Sequence, residues 1–349
     1  MNGPIRGTGG AVAGEGRRDP RQRLLLEASR HPLASACAEG LARCGTHANG
    51  RLALLVSGGG DSMALLVLMA SLRERVDPSL DSLAVLTVDH GLRAEAAEEC
   101  ARATALADRL GIARHETVRV AVARDGNLLD RARAARYAAA QAFVARHGCV
   151  AAVAAHTADD RAESLVLGLR RGLGVAALTR ILPVREFTDA AFPMILRPLL
   201  AVRRRELREF LTDLGIDWSE DPSNALHDRG ALRSDPSLAA LVEAIAAGAS
   251  RLIEEAAELE RFRDDEVARR VGASVTAIAR AEIDGFPAAL QPAAIRLIVR
   301  RAGGSIAAAT LDRAVASLRS DDRSPRSFEI TGSVELRIDA RSVSARSLR

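Results

Sequence analysis

Three polar clusters interrupt apolar stretches of this chain, and their side chains are of kinds that do chemistry. The first, Ser57-Gly58-Gly59-Gly60-Asp61-Ser62, follows the apolar run Leu52 to Val56 and precedes another, Met63 to Leu68. Glycines there are free to adopt positive φ, so several backbone N–H groups can point at one spot, beside the positive end of the following helix dipole. That makes a seat for phosphate, with Asp61 or Ser62 placed to cap the helix. The second cluster, Asp89-His90-Gly91-Leu92-Arg93, ends the apolar run Leu83 to Val88. The third, His156-Thr157-Ala158-Asp159-Asp160-Arg161-Ala162-Glu163, ends Val150 to Ala155. A helix starting there carries Asp159, Asp160 and Glu163 in its first turns. Three acids and a histidine at the mouth of a nucleotide site point to magnesium and an amine substrate.

A missing residue type narrows the first cluster. A Walker loop needs a lysine after its last glycine to reach the terminal phosphates, and all 49 basic residues of this chain are arginine. A Walker ATPase is therefore excluded.

The elements that must position these clusters are legible from apolar patterning. Five buried strands are expected, at Leu52 to Val56, Leu83 to Val88, His115 to Val122, Val150 to Ala155 and Ile195 to Leu200, with helices between them. This predicts an α/β fold with a mostly parallel five-stranded sheet flanked by helices. In such open sheets ligands sit at the carboxyl ends of the strands, where all three clusters fall. Leu24 to Ala42 has helical spacing and should pack on the sheet. The helix after Asn127 carries Arg131, Arg133, Arg136 and Tyr137, with 133, 136 and 137 on or near one face. Arg203 to Leu214 reads as an amphipathic helix, and Trp218 to Asn224 is rich in turn formers.

At 349 residues the chain exceeds the usual single-domain size. Residues 1–22 are expected to form a disordered tail, 23–235 the catalytic domain, and 236–349 a smaller, mostly helical domain. In that last part Leu241, Ile245, Leu252, Ala256, Leu259 and Phe262 mark a long amphipathic helix, and short strands alternate over Phe328 to Ile330, Val334 to Ile338 and around Val343. Cys37, Cys44, Cys100 and Cys149 form no CxxC pair, which argues against disulfides and a zinc knuckle. The formal net charge of +4 suits an anionic partner, while 3% aromatic residues argue against broad stacking platforms. Apolar runs are interrupted short of a membrane span and no charged-then-apolar leader opens the chain, so no membrane partner and a cytoplasmic location are expected.

The loop at 57–62 resembles the SGGxDS loop of the ATP pyrophosphatase (PP-loop) superfamily, whose members hold the pyrophosphate end of ATP and transfer AMP to a substrate oxygen. Within that superfamily the chain is similar to the tRNA(Ile)-lysidine synthetases. Five blocks carry the likeness: SGGGDS at 57–62, DHGLR at 89–93, NLLDRARAARY at 127–137, HTADDRAESLVLGLRRGLG at 156–174, and RPLL with EDPSN at 197–200 and 220–224. There are departures. Thr157 and Arg161 stand where the family usually has a second histidine and a glutamine, the segment between Asn224 and Arg229 is short, and Gly230 replaces an expected asparagine. The resemblance further implies that a C-terminal domain of longer members is absent or reduced to the terminal strands.

What the resemblance implies is an ATP-dependent ligase that converts the wobble cytidine of the CAU-anticodon isoleucine tRNA to lysidine. ATP adenylates the cytosine 2-carbonyl oxygen, releasing pyrophosphate; the ε-amine of free lysine then attacks the ring carbon and expels AMP. ATP would lie against Ser57, Gly58, Gly59, Gly60, Asp61, Ser62, Asp89 and His90, with Mg2+ at Asp61 and Asp160. Lysine would be held by His156, Asp159, Asp160, Glu163 and Arg133, and the catalytic set would be Asp61, Arg133, Asp159 and Glu163. One acid of the 159–163 segment must take a proton from the lysine ammonium, unless desolvation lowers its pKa. Arg170, Arg171, Arg203, Arg204, Arg205, Arg229 and Arg233, with the helical domain, are expected on the tRNA. A homodimer is compatible with all of this. Rival readings are a tRNA thiolase with the same loop, an amide synthetase fed with ammonia by another subunit, and an RNA- or nucleotide-binding relative that has lost catalysis.

Overall fold

The structure, a computed structural model, describes residues 19–79, 81–89, 96–120, 128–170, 181–185, 193–220, 228–272, 275–330 and 333–348. Within the helices, the side chains at 128–130, 133, 228, 229 and 308 also lie outside the described residues. The tail expected over 1–22 falls outside them as far as residue 18. From Pro20 the expectation is corrected to helix, because the Asp19 carboxylate accepts from Arg21 N at 3.3 Å and proline suits the first helical position. The helical spacing of Leu24 to Ala42 is cut at His31, extended ahead of Pro32, into α1 (Pro20–Arg30) and α2 (Pro32–Ala42).

The first large unit runs β1 (Leu52–Leu55), α3 (Gly60–Glu74), β2 (Leu83–Asp89), α4 (Ala96–Arg109), β3 (His115–Arg119), α5 (Leu128–Arg146), β4 (Ala151–Val153), α6 (Ala158–Arg170), β5 (Val184–Arg185), β6 (Ile195–Leu196) and α7 (Arg204–Asp213). The sheet order is β3-β2-β1-β4-β6-β5. The five expected strands pair in parallel, and the two-residue β5 adds an antiparallel edge to β6. So short an edge leaves no periodicity to read.

Alternation along β1 separates two cores. Leu52 and Leu54 pack with α1, α2, α3, α4 and α7, whereas Ala53 packs with Ala140 and Phe143 of α5 on the other face. Successive strands step from β1 to β2 to β3 on one side, and the chain then crosses to β4 on the other. That reversal is a topological switch point, where the loops leaving neighbouring strands diverge and open a crevice. The loops after β1 and β4 are the ones that carry Ser57–Ser62 and His156–Glu163.

A short helix, α8 (Asp228–Ser234), precedes the 36-residue α9 (Pro236–Val271). Val242, Ala246 and Ala249 of α9 pack on Ala158, Ala162 and Leu165 of α6. Its far end delivers Val267 to a separate core built from β7 (Ala277–Ala279), α10 (Arg280–Asp284), α11 (Gln291–Arg301), α12 (Ala308–Arg319), β8 (Arg326–Ile330), β9 (Val334–Ile338) and β10 (Ser342–Ser347). The terminal strands form an antiparallel sheet ordered β7-β10-β9-β8. Thus α9 serves both cores rather than opening a detached tail. By length and composition alone it is also apolar enough to cross a membrane, which amends the expectation that every apolar run stops short. Its apolar residues are divided between faces: Val242, Ala246 and Ala249 are buried on α6, whereas Leu241 and Leu252 are exposed.

Candidate active site

The loop after β1 is shaped by one glycine. Of the three, only Gly58 has positive φ, at +84°, and a Cβ there would lie 2.5 Å from the carbonyl oxygen of Glu99. Both conditions admit glycine and no other residue. The cap expected from Asp61 or Ser62 falls instead to Gly59, and Asp61 and Ser62 lie inside the first turn of α3. Ser62 closes the turn from within: its Oγ donates to Gly59 O at 2.9 Å and accepts from Ser57 N at 3.1 Å. Ser219 N donates to Gly58 O at 2.9 Å, and Trp218 lies under Gly60, where a Cβ would come within 3.2 Å of the indole. The strap at 217–220 therefore holds the loop from outside.

The acidic helix start is organised by Thr157. The Asp160 carboxylate accepts from Thr157 N at 2.8 Å and Thr157 Oγ1 at 2.9 Å, a reciprocal arrangement at the head of α6. Threonine, one of the departures from the family pattern, thereby fixes the Asp160 side chain. Arg161, the other, is buried and turns away from the site to Ile181 O at 3.3 Å and Glu254 at 3.0 Å, fastening α6 to α9. His156 accepts at Nδ1 from Arg197 Nε at 3.1 Å, which puts the ring proton of the neutral imidazole on Nε2.

The two ends meet on one guanidinium. Arg204, the first residue of α7, donates from Nε to Asp61 at 3.1 Å and from Nη1 to Glu163 at 3.0 Å, and its Nη2 lies 3.5 Å from Asp160. Its side chain is 14% exposed, that of Glu163 1% and that of Asp160 9%. Although burial opposes its charge, Asp160, Asp61 and Glu163 hold the Arg204 proton far above the ordinary arginine range. Burial pushes the Asp61 carboxyl up to about 6, with Arg204 pulling down and Asp160 adding to the rise. Asp159 is gripped bidentately by Arg203, at 3.0 and 3.2 Å, and by Arg204 N at 2.8 Å. Burial alone would raise its pKa, but these bonds together hold it below the usual aspartate value. Arg233 of α8 clasps Glu163 through two bonds of 2.7 and 3.0 Å.

The sequence expectations divide accordingly. Asp61, Asp160 and Glu163 come together as expected, and Asp159 adjoins them. Asp89 ends β2 with Arg119 Nε 3.8 Å away. His90, Arg171, and the side chains of Arg133 and Arg229 lie outside the described residues. Arg170 and Arg205 are exposed, and Arg205 pairs with Glu243 at 3.2 Å. Arg203, Arg204 and Arg233, expected on the same RNA face, are instead bonded to site carboxylates, because the start of α7 and the last turn of α8 lie beside the acidic turn. Sequence reading gave no site role to Arg197, Thr157 or Trp218. The signals for Arg197 were its place at the end of a strand and at the head of the RPLL block.

Asp159, Glu163, Arg203, Arg204, Arg233 and Glu243 line a pocket of about 210 Å3. It is below the roughly 300 Å3 at which drug-sized sites begin. A larger groove between α6 and α9, lined by Leu165, Leu169, Leu241 and Ile245, is apolar and holds no titratable group. Among the described residues no cluster of three or more His, Cys, Asp or Glu is arranged to hold a metal. The donors Asp61 and Asp160 are hard carboxylates, and Asp160 is close enough to raise the Asp61 pKa. That pair fits magnesium, which commonly takes one or two carboxylates and completes its shell with phosphate and water.

Comparison with known proteins gives the same region. A profile described as a PP-loop domain matches residues 33–235. The chain is 42% identical over 216 residues to a tRNA(Ile)-lysidine synthase of Novosphingobium aromaticivorans, covering 61% of this chain and 64% of that protein. It is 35% identical over 265 residues to the enzyme of the same name from Thermus thermophilus, covering 72% and 49%. The match thus spans about half to under two thirds of these relatives' length. Among solved structures, a U34-tRNA thiolase from Methanococcus maripaludis shares the fold, with a TM-score of 0.50 at 17% identity over 67% of this chain and 80% of that one.

Proposed function

As the chain belongs to the PP-loop domain family, we propose that it fixes free lysine onto the wobble cytidine of the CAU-anticodon isoleucine tRNA, consuming ATP and releasing AMP and pyrophosphate. The observation that carries this reading is the convergence of Asp61, Asp160 and Glu163 on Arg204. It joins a phosphate seat and an ammonium seat into one reaction centre. With tRNA as substrate, the cytoplasm is the compartment the reading requires.

In the first step the cytosine 2-carbonyl oxygen bonds to the α-phosphorus of ATP, and the bond to pyrophosphate breaks. The amides around Gly58 and Gly59, at the head of α3, receive the phosphate oxygens. Asp61 and Asp160 would hold magnesium, which supplies positive charge against the leaving pyrophosphate. In the second step the lysine ε-nitrogen bonds to the ring carbon and AMP departs with the oxygen. The attacking nitrogen must first lose an ammonium proton, and an acid of α6 accepts it. Glu163 suits that task, since Arg233 fixes both of its oxygens at the wall of the small pocket.

The likeness in fold to a thiolase extends to the backbone alone. Thiolation needs a thiolate or a cluster. Burial pushes the Cys37 thiol up to about 12 and holds Cys44, Cys100 and Cys149 above the usual value. Incubation with ATP, radiolabelled lysine and CAU-anticodon isoleucine tRNA should leave label in RNA, and elongator methionine tRNA should stay unlabelled. Absence of label from the isoleucine tRNA removes the reading.

A further inference from the structure

We propose that Arg204 is a positioning residue that makes amine binding depend on nucleotide binding, because its one guanidinium is the resident counter-ion of both ends of the site. The inference rests on the reading above of ATP and lysine as substrates. It concerns an order built into the site.

One planar fork here serves three carboxylates on two helices: Asp61 of α3, and Asp160 and Glu163 of α6. Neither a magnesium ion at Asp61 and Asp160 nor an ammonium at Glu163 can take its place without displacing some of those bonds. Arg233 is different, for it grips Glu163 at 2.7 Å and reaches Asp160 at 3.8 Å, serving the amine end. Arg204 alone among the described residues touches acids of both helices. Its burial matters, since charges excluded from water feel one another strongly.

The direction of the coupling follows from where phosphate arrives. Asp61 is the second residue of α3, directly after the glycine turn, so phosphates seated by the loop lie on the Asp61 side of the guanidinium. Phosphate oxygens accept two parallel N–H bonds from an arginine, as a carboxylate does. With nucleotide and metal bound together, Arg204 would yield Asp61 and Asp160 to the cation and turn its N–H groups to the phosphate oxygens. Glu163 then keeps Arg233 and loses Arg204. Glu163 Oε1, which accepts from both arginines, keeps its bond from Arg233, and the acceptor position that Arg204 vacates on it is the natural partner for an incoming ammonium. Before nucleotide arrives, Arg204 occupies that place, and lysine is held off.

Titration of lysine into the 349-residue chain, followed by calorimetry, tests this with and without magnesium and a non-hydrolysable ATP analogue. In the wild type the nucleotide should tighten lysine binding by about 10-fold or more, within the usual span of site-to-site coupling. Arg204→Gln should tighten lysine binding to the nucleotide-free protein and bring the nucleotide effect close to unity, whereas a merely structural arginine would weaken binding on removal. Arg204→Lys, a point charge that reaches one end at a time, should give an intermediate effect, and it replaces the glutamine variant if melting curves show that variant unfolded. The proposal is overturned if nucleotide leaves wild-type lysine affinity unchanged, or if both variants keep the full effect. Labelling of isoleucine tRNA without any such coupling sinks this inference alone; failure of labelling takes the underlying reading with it.

Discussion

The phosphate loop and the acidic turn leave adjacent strands of one sheet, yet they are built in opposite ways. Every bond that shapes the loop from within joins residues at most five apart, as from Ser57 to Ser62. The acids take partners from far along the chain: Glu163 from Arg204, 41 residues on, and from Arg233, 70 on, and Asp61 from Arg204, 143 on. The loop is a backbone device that one glycine can make or break. The acidic end is an ion network that exists only once α6, α7 and α8 have packed, so its properties belong to the fold.

The contrast can be pressed by substitution. Glu163→Gln should have the largest effect, because the buried carboxylate serves two guanidiniums. Lysine transfer should fall about 100-fold or more, as for loss of a general base, while tRNA-dependent pyrophosphate release survives. Stability should fall by about 3 kcal/mol, since breaking a buried pair strands the remaining charge. Equal loss of both half-reactions would mean that the two ends are not separable.

Gly58→Ala tests the local end. A left-handed backbone and a Cβ 2.5 Å from Glu99 O should cost about 2 kcal/mol in chemical denaturation and weaken nucleotide binding, with lysine binding to the free protein unaltered. Thr157→Val has a smaller expected effect. The wholly buried hydroxyl is replaced by a methyl of like shape, removing its bond to the Asp160 carboxylate and the longer one it accepts from Asp160 N, and costing about 1 kcal/mol. It should raise the KM for lysine more than it lowers kcat, and an unchanged KM would make the threonine a cap and nothing more.

The finest test is in pH. The folded protein holds the Asp61 proton more tightly than the unfolded chain, with values of about 6 against 3.8. The stability this group contributes is therefore complete below the unfolded value and is lost as pH rises through about 6. Asp61→Asn should flatten that part of the stability profile, read from denaturation midpoints at about pH 4.5 and about pH 7.5. Identical slopes in variant and wild type would place the carboxyl in free solvent.

By itself the sequence determined the strands, the glycine turn and the acids that open α6, since each is a matter of neighbours: an apolar run, a left-handed φ, a carboxylate spaced along a first helical turn. It also determined that a Walker loop was excluded, because no lysine is present. β4 and β6, though only three and two residues long, were legible from apolar runs, whereas β5 and β7 left no pattern to read. Only the tertiary structure decided what the arginines do. From sequence Arg203, Arg204 and Arg233 were cations without assigned partners, and solvent-facing RNA contacts were the natural reading. The switch point between β1 and β4 sets α3 and α6 side by side, and α7 and α8 bring guanidiniums into the gap. In a space so nearly closed to water, buried carboxylates require counter-charge, and chain separation offers no hint of which residue will supply it.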